Sequence, residues 1–367
     1  MKVVSHALNP SPVDRRREIQ LACHPSRPVN PDSASTGRIA RRRMHSRRND
    51  LFDRTVQLAL MAALLSAALP ATAAQLSGDA RSAIPHDVQQ LVAIDYRAMQ
   101  NSDTAMALRD KVMPPDLKQF DDALAKSGLN DNHDVDDLAF ALFRPSGATD
   151  QVETVGVAQG QFPVDDIMAN FQKKRVKPKL IRSNKIYPMG KTGMVLCFVD
   201  PSTMIFGDQQ AVKASLDARD GMAPSLLTNG SMMDAMRSVD SQPLWSILDQ
   251  KGTQTMMKQL LGQAGSMTDY DSVRKRLLNS WYSMDFAHGI VFDLTVSTGD
   301  MFAAATVSSL LNAAVAYKKM SGTDMEKAAM AATDVSSNAG QLNIHFATSD
   351  STFNTLLSSQ LFQSMVH

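Results

Sequence analysis

The chain has 367 residues, of which 44% are hydrophobic and 20% charged. This composition excludes a chain that is disordered throughout and a collagen-like chain, and two cysteines are too few for a disulfide scaffold. The formal net charge of +1 averages two unequal parts. Residues 1–74 hold 12 Lys and Arg against 5 Asp and Glu, a net +7, and the remaining 26 basic and 32 acidic residues give −6. The two parts are therefore interpreted separately.

Residues 1–43 are rich in Arg, Pro and Ser and show no hydrophobic periodicity. One interpretation is a basic arm that binds nucleic acid or a membrane surface. The other is a disordered leader, or upstream sequence included by too early a start codon. We favour the second interpretation because a complete export signal follows.

Residues 44–74 have the pattern of a signal peptide. Basic residues precede the apolar segment Leu58–Leu69, Pro70 ends that segment, and Ala71-Thr72-Ala73 fits the small-x-small cleavage pattern, so cleavage is predicted after Ala73. Twelve apolar residues are too few to cross a bilayer as a helix, which needs about 20. We therefore expect a secreted or periplasmic protein. Because the uncharged stretch is longer, a membrane anchor formed by residues 56–74 remains the alternative.

The remainder predicts an α+β fold of two similar units, 75–223 and 224–367, with mainly antiparallel sheets. In the first unit the predicted strands, separated by amphipathic helices, are Gln90–Tyr96, Leu138–Phe143, Val152–Ala158, Lys179–Tyr187, Met194–Val199 and Thr203–Phe206. In the second unit the predicted elements are strands Pro243–Leu248, Trp281–Phe286, Ile290–Val296 and Leu342–Ala347, with helices Met301–Tyr317, Asp324–Val335 and one from Asp350 to Phe362. The similar order indicates an internal repeat. Neither unit alone could cover both sheet faces, so we expect the halves to pack together or to share a sheet.

Two segments carry a family resemblance. Residues 128–143 run from a glycine through a polar turn into a strand, and residues 205–212 run from a strand through Gly-Asp into a helix. In these features the chain resembles uncharacterised exported bacterial proteins that carry repeated α+β units. The resemblance implies a fold and no catalytic residue.

Few residues match a catalytic or metal-binding motif. Cys197, the one cysteine after the signal, lies in an apolar strand, which predicts a buried and unreactive thiol. Residues 130–137 (NDNHDVDD) offer carboxylates and amides to a metal, but a polar turn is favoured because no Ca²⁺-loop register fits. We predict no metal and no cofactor. A hydrolase site assembled from Asp95, His288 and Asp293 stays open, because active sites form from residues distant in sequence.

The most distinctive feature is a basic run. No acidic residue occurs between Asp166 and Asp200, and eight cations lie in this interval: Lys173, Lys174, Arg175, Lys177, Lys179, Arg182, Lys185 and Lys191. They are the candidate anion-binding site. The structural alternative is that some lysines complement a helix C-terminus and others protect an edge strand. No aromatic residues alternate with these cations in the way that base stacking requires, so no nucleic-acid partner is predicted.

These observations favour an exported protein that acts without catalysis, through surface interactions with a protein or an anionic component of the cell envelope. The alternatives are a binding module for anionic lipid or polysaccharide through residues 173–191, and a hydrolase without a recognisable motif. Catalysis and oligomeric state are left open.

Overall fold

The computed structural model describes residues 73–145, 151–190, 193–261, 273–359 and residue 362. Its strands are β1 Val88–Asp95, β2 Val135–Phe143, β3 Glu153–Gly160, β4 Lys179–Ile181, β5 Asn184–Pro188, β6 Met194–Asp200, β7 Thr203–Asp208, β8 Leu244–Leu248, β9 Leu277–Asp285, β10 Ile290–Thr298, β11 Thr333–Asn338 and β12 Gln341–Thr348. Its helices are α1 Gly78–Ser82, α2 Tyr96–Gln100, α3 Asp103–Val112, α4 Pro115–Lys126, α5 Asp131–Asp134, α6 Val164–Lys173, α7 Gln209–Arg219, α8 Gly230–Arg237, α9 Gln250–Leu261, α10 Met301–Ser321, α11 Asp324–Ala331 and α12 Asp350–Leu357.

The described strands form one twelve-stranded sheet in the order β11-β12-β10-β9-β8-β1-β2-β3-β7-β6-β5-β4. Each pairing between neighbouring strands is antiparallel. The α+β class predicted from the sequence is therefore confirmed, and the two halves share a single sheet. From the central β1–β8 pair outward, the strands follow the order β1-β2-β3-β7-β6 in one direction and β8-β9-β10-β12-β11 in the other.

The two faces of the sheet are covered differently. On the first face, Leu91, Ala93 and Trp245 pack with α1, α7 and α8 in one core cluster. On the second face, Phe206 and Met204 pack with α2, α4 and α6. Because side chains alternate along a strand, each residue belongs to one face only.

The register shows that the second face continues across both halves. Cross-strand pairs place Phe140, Val92, Ser246, Tyr282 and Leu294 in one row. In the second half this face is covered by α9 and α10 in one cluster, and by α11 and α12 in another. The opposite, first face of β10–β12 carries polar side chains and faces solvent, as antiparallel sheets often do.

Local sequence signals account for several helix ends. The Ser102 hydroxyl accepts the Ala105 N–H at 3.2 Å and begins α3. Pro115 is the first residue of α4, where a proline is tolerated because that N–H has no helical partner. Gly128, with φ of 101°, follows the end of α4, since this backbone conformation is unfavourable for other residues.

Two predicted elements each cover parts of two observed elements. The predicted strand Lys179–Tyr187 is a hairpin of β4 and β5 with a turn at Arg182 and Ser183. The predicted helix Asp324–Val335 ends at Ala331, and strand β11 begins at Thr333. β11 was missed because it is an edge strand with one face in solvent, so its sequence lacks the apolar alternation that identifies a strand.

The first described residues are hydrogen-bonded to the segment around Gln242 and Trp245. Ala73 is the first described residue, and Ala74 is fully buried. The Ala74 N–H donates to the Gln242 carbonyl at 3.1 Å, and the Trp245 indole N–H donates to the Ala74 carbonyl at 2.8 Å. Residues 1–72, which hold the predicted leader and all but the last two residues of the predicted signal segment, lie outside the described residues. Within the described part, no helix has the length and apolar character needed to cross a membrane.

Candidate functional site

The basic run begins at the C-terminal end of α6. Arg175 has a left-handed backbone with φ of 57°, and its N–H donates to the Gln172 carbonyl at 3.0 Å. The Val176 N–H donates to the Phe171 carbonyl at 2.9 Å. These two bonds satisfy carbonyls at the helix end, in an arrangement where glycine is the usual residue at the left-handed position. An arginine there costs about 1 kcal/mol of backbone strain, while its side chain remains exposed.

The run continues into the β4–β5 hairpin at the edge of the sheet. Lys185 lies opposite Leu180, and Lys179 lies opposite Ile186. Ile186 belongs to the core of the first face, so Lys179 is on the first face and the Leu180–Lys185 pair is on the second. Leu180 is 69% exposed. An exposed leucine and a lysine are thus cross-strand neighbours on the face that also carries α6.

Cations on the first face are engaged by α7. Arg182 contacts Asp217 at 2.5 Å and Asp220 at 3.2 Å, and the Lys179 ammonium donates to the Gln209 side chain at 2.8 Å. Desolvation opposes ionisation of Asp217, but hydrogen bonds from Lys213 and Arg182 outweigh it and lower the pKa of Asp217. These cations therefore hold the hairpin against α7.

The remaining cations form a group that we call the cationic patch, defined as Lys173, Arg175, Lys177 and Lys185. All four are exposed, and none has an acidic partner among the described residues. Lys174 is excluded because its ammonium donates to the Lys126 carbonyl at 2.5 Å. The eighth predicted cation, Lys191, lies outside the described residues. The structure therefore separates the run into engaged cations on the first face and a patch that extends from the end of α6 to the second face of the hairpin.

Two carboxylates from separate candidate segments of the sequence lie opposite each other, at the last residue of β1 and the third residue of β2. Asp95 and Asp137 are cross-strand partners. Asp95 accepts the Ala98 N–H at 2.7 Å and so caps α2. Desolvation, with the negative charge of Asp95 as the next cause, raises the pKa of Asp137 to about 7, although the Gln159 amide donates to its carboxylate at 3.1 Å. The sequence shows an aspartate at the end of β1 and another near the start of β2, but only the strand register pairs them.

We expect Asp137→Asn to remove a pH-dependent loss of stability. A carboxyl whose pKa is raised on folding binds a proton more tightly in the folded state, so its contribution is full below its unfolded pKa near 4 and is lost as pH rises to about 7. A shift of about three units corresponds to about 4 kcal/mol, and solvent screening of this partly exposed group reduces it to about 2 kcal/mol. Urea unfolding at pH 4 and pH 8 measures this effect. The free energy of unfolding of the variant should exceed that of the parent at pH 8, and the difference should be much smaller at pH 4. An equal gap at both pH values would contradict the assignment.

The structure does not join the three residues of the hydrolase hypothesis. Asp95 is engaged in capping α2. His288 lies in the β9–β10 turn, with its Nδ1 2.6 Å from the Ala287 carbonyl. Asp293 contacts His345 on β12 at 2.7 Å. The partner of Asp293 is therefore His345, and His288 is not involved.

One cleft brings a different histidine close to a carboxylate. It encloses about 420 Å³, and His86 Nδ1 lies 2.9 Å from the Asp87 carboxylate at its margin. Arg144 lines it and forms an ion pair with Asp249 at 2.6 Å. The described lining contains no serine, threonine or cysteine. The cleft therefore presents acid–base groups without a hydroxyl or thiol nucleophile on its described walls.

A second, smaller cavity of about 60 Å³ lies between α4 and the second face of the sheet. Its walls include Phe120, Phe140 and Phe206, with Arg109 and Tyr96 among its few polar residues. The Arg109 guanidinium lies 5.5 Å from the centre of the Tyr96 ring. This volume holds only a few water-sized molecules.

The remaining candidate residues have structural partners. Cys197 is buried in β6, and desolvation raises its pKa to about 11, which agrees with the predicted unreactive thiol. In residues 130–137, where a polar turn was predicted, the structure has the one-turn helix α5 followed directly by the start of β2; Asp134 accepts the Asn130 N–H at 2.8 Å and Asp131 accepts the Tyr96 hydroxyl at 2.7 Å. The described residues contain no cluster of three or more His, Cys, Asp or Glu side chains that could hold a metal ion.

Leu180 is not a candidate in the sequence alone, because only the register of the β4–β5 hairpin shows which residues share its face.

No family model and no curated protein matches the chain. Two solved structures are distantly similar in shape. Crystal form I of TP0453 matches with a TM-score of 0.44 at 10% identity, covering 76% of this chain and 96% of that one. Crystal form III of TP0453 matches with a TM-score of 0.42 at 11% identity, covering 76% and 98%. No functional conclusion is drawn from similarities at this level.

Proposed function

We propose that this protein is exported and acts without catalysis in the cell envelope, where it binds an anionic lipid surface through the cationic patch. The observation that carries the proposal is the set of four exposed cations without a described acidic partner, in a chain whose residues 75–367 have a net charge of −6. An acidic protein would be repelled by an anionic surface in most orientations. The cationic patch lets the protein bind in the orientation that places the patch against the anionic surface.

The backbone at Arg175 gives independent support. A residue that carries about 1 kcal/mol of avoidable strain suggests a role for its side chain beyond folding. Its guanidinium has no described partner within the protein. Binding of this guanidinium to a group outside the protein would explain both the strained backbone and the lack of a described partner.

Leu180 favours lipid over polysaccharide as the anionic partner. Its side chain is exposed beside Lys185, so a cation and an apolar group project together from the edge of the sheet. At a membrane, the cation lies among anionic headgroups while the apolar side chain reaches the acyl boundary. A soluble acidic polysaccharide offers no apolar phase for the leucine.

Export rests on the sequence pattern of residues 44–74, with cleavage after Ala73. The new N-terminus would be Ala74, which the structure places in the core beside Gln242 and Trp245. N-terminal sequencing of the protein recovered from the cell envelope or the medium tests this step. A chain that begins at Ala74 is the expected result, and one that begins at Met1 would refute it.

Binding is tested by co-sedimentation with phosphatidylglycerol–phosphatidylcholine vesicles over a range of NaCl concentrations. We expect binding that increases with the phosphatidylglycerol fraction and weakens as salt rises, because the attraction is electrostatic. Vesicles of phosphatidylcholine alone are the control. No binding to anionic vesicles at low salt would refute the proposal.

A second arm separates lipid from polysaccharide. Leu180→Ser keeps every charge of the patch and should weaken vesicle binding, while leaving any binding to a soluble acidic polysaccharide such as alginate unchanged. If alginate binds and vesicles do not, the patch recognises polysaccharide and the lipid proposal is wrong.

A further inference from the structure

The cleft of about 420 Å³ beside His86 carries an unbalanced charge. Its described lining includes two basic and three acidic side chains: Arg144, Lys213, Asp87, Glu153 and Asp217. Both basic side chains are already neutralised within the protein. The Lys213 ammonium contacts Asp217 at 2.7 Å, and the Arg144 guanidinium contacts Asp249 at 2.6 Å. The excess charge of the lining is therefore negative, and it resides on Asp87 and Glu153.

Neither of these two carboxylates has a basic partner among the described residues. Asp87 contacts the His86 ring at 2.9 Å, and a neutral imidazole offers a hydrogen bond without a positive charge. Glu153 is partly buried and forms no ion pair in the described part of the chain. A carboxylate that is shielded from water without a cation costs free energy, which a bound cation would recover.

The two carboxylates lie at the same end of the sheet. Asp87 directly precedes β1, Glu153 is the first residue of β3, and β2 lies between these strands. Because neighbouring strands are about 4.8 Å apart, the backbones at the two positions are separated by about 10 Å. Glu153 lies opposite Phe143, which packs in the core of the first face. Glu153 therefore projects from the face that carries α7.

Apolar groups form much of the remaining wall. The prolines and alanines of the described lining are Pro85, Pro145, Pro224, Ala214 and Ala223. Their side chains offer aliphatic surface and no hydrogen-bonding group. Val152 and Met222, which adjoin the lining residues Glu153 and Ala223 in sequence, are 41% and 72% exposed. The cleft thus combines two separated carboxylates with aliphatic walls, in a volume typical of small-molecule sites.

From these observations we propose that the cleft binds an aliphatic diamine or polyamine, with one ammonium at Asp87, another at Glu153, and the methylene chain against the apolar walls. A four-carbon diamine spans about 6 Å between its nitrogens, and a hydrogen bond of about 2.8 Å at each end extends this to about 12 Å. This reach is sufficient for carboxylates on backbones about 10 Å apart. Such amines are protonated at neutral pH, as lysine is.

The proposal does not rest on the proposed lipid function. The cleft is lined by α7 on the first face of the sheet, whereas the cationic patch extends from the end of α6 to the second face of the β4–β5 hairpin. The ligand is a small cation, and the lipid surface is anionic. Glu153→Gln should therefore leave vesicle binding unchanged, so the two proposals can fail separately.

The test is isothermal titration calorimetry of the full chain with putrescine, the four-carbon diamine, at neutral pH and low salt. We expect saturable binding at one site that weakens as NaCl is added. The matched ligand 1-aminobutane keeps the chain and one ammonium, and it should bind at least tenfold more weakly because it loses one charge-assisted hydrogen bond. The uncharged 1,4-butanediol should not bind.

Variants locate the site. Glu153→Gln preserves the shape of the side chain, removes its charge and should weaken putrescine binding at least tenfold, and Asp87→Asn tests the other end of the cleft in the same way. Asp165→Asn, at an exposed position of α6 outside the cleft, is the matched control and should bind putrescine like the parent. Circular dichroism and urea unfolding check that each variant folds.

Three results would overturn the proposal. One is the absence of binding at millimolar putrescine, and another is equal affinity for putrescine and 1-aminobutane, which would mean that a second ammonium finds no carboxylate. The third is unchanged putrescine binding in folded Glu153→Gln and Asp87→Asn, which would place the diamine elsewhere on this acidic protein.

Discussion

Replacement of Lys173, Arg175 and Lys177 by glutamine is expected to weaken binding to phosphatidylglycerol vesicles about 100-fold. Each cation near an anionic surface contributes about 1 kcal/mol, so three contribute about 3 kcal/mol, and 1.4 kcal/mol is a tenfold change in affinity. The three side chains are exposed and have no described partner, so the protein should keep its fold. Co-sedimentation at fixed ionic strength measures the ratio.

The matched control changes the same net charge elsewhere. Lys258, Lys275 and Lys327 are exposed and lie outside the patch, and their replacement by glutamine should change vesicle binding by less than about threefold. If both triple variants lose affinity equally, the net charge of the protein controls binding and the patch has no special role.

A single substitution at the patch separates binding from folding. In Arg175→Gly the backbone strain at the end of α6 is relieved, so the free energy of unfolding should rise by up to about 1 kcal/mol. Loss of one charge should weaken vesicle binding about fivefold, since it removes about 1 kcal/mol. Urea unfolding and co-sedimentation on the same preparation measure the two effects. A variant that is more stable and binds equally well would show that this guanidinium does not contact the lipid.

The largest effect on stability is expected for Gly156→Ala, at about 2 to 3 kcal/mol. Gly156 lies on β3 between Phe140 of β2 and Phe206 of β7. A Cβ atom at this position would come within 2.2 Å of the Phe206 ring. That ring also stacks on Phe120 of α4, with centroids 5.0 Å apart, so it cannot move without disturbing the second-face core. Urea unfolding at pH 7 measures the loss.

Two further variants test this interpretation. Gly230→Ala introduces the same methyl group where no atom lies within 4 Å, and it should change stability by less than about 0.5 kcal/mol. The double variant Gly156→Ala, Phe206→Leu should be more stable than the sum of the two single effects predicts, because the smaller side chain removes the clash. Additive effects would mean that the glycine is required for another reason.

Much of the architecture follows from local patterns. The apolar alternation of residues 90–96 and the continuous apolar run Met194–Val199 predicted β1 and β6, and Pro115 and Gly128 marked the ends of α4. These signals are local because burial of a strand, or capping of a helix end, restricts the residue types at the positions directly involved. β11 was not predicted, because an edge strand with one face in solvent needs few apolar residues and its sequence therefore lacks this signal.

For the candidate site, the amino-acid sequence was sufficient to locate a run of basic residues in an otherwise acidic chain, because charge is a property of composition. Which of these cations are free depended on the tertiary structure. The β4–β5 register assigns Lys179 and Lys185 to opposite faces of the sheet. Packing of α7 brings Asp217, 35 positions along the chain, against Arg182. Such partners are distant in sequence, and long-range packing alone brings them together. It is this packing that reduces a uniform basic run to a patch on one face.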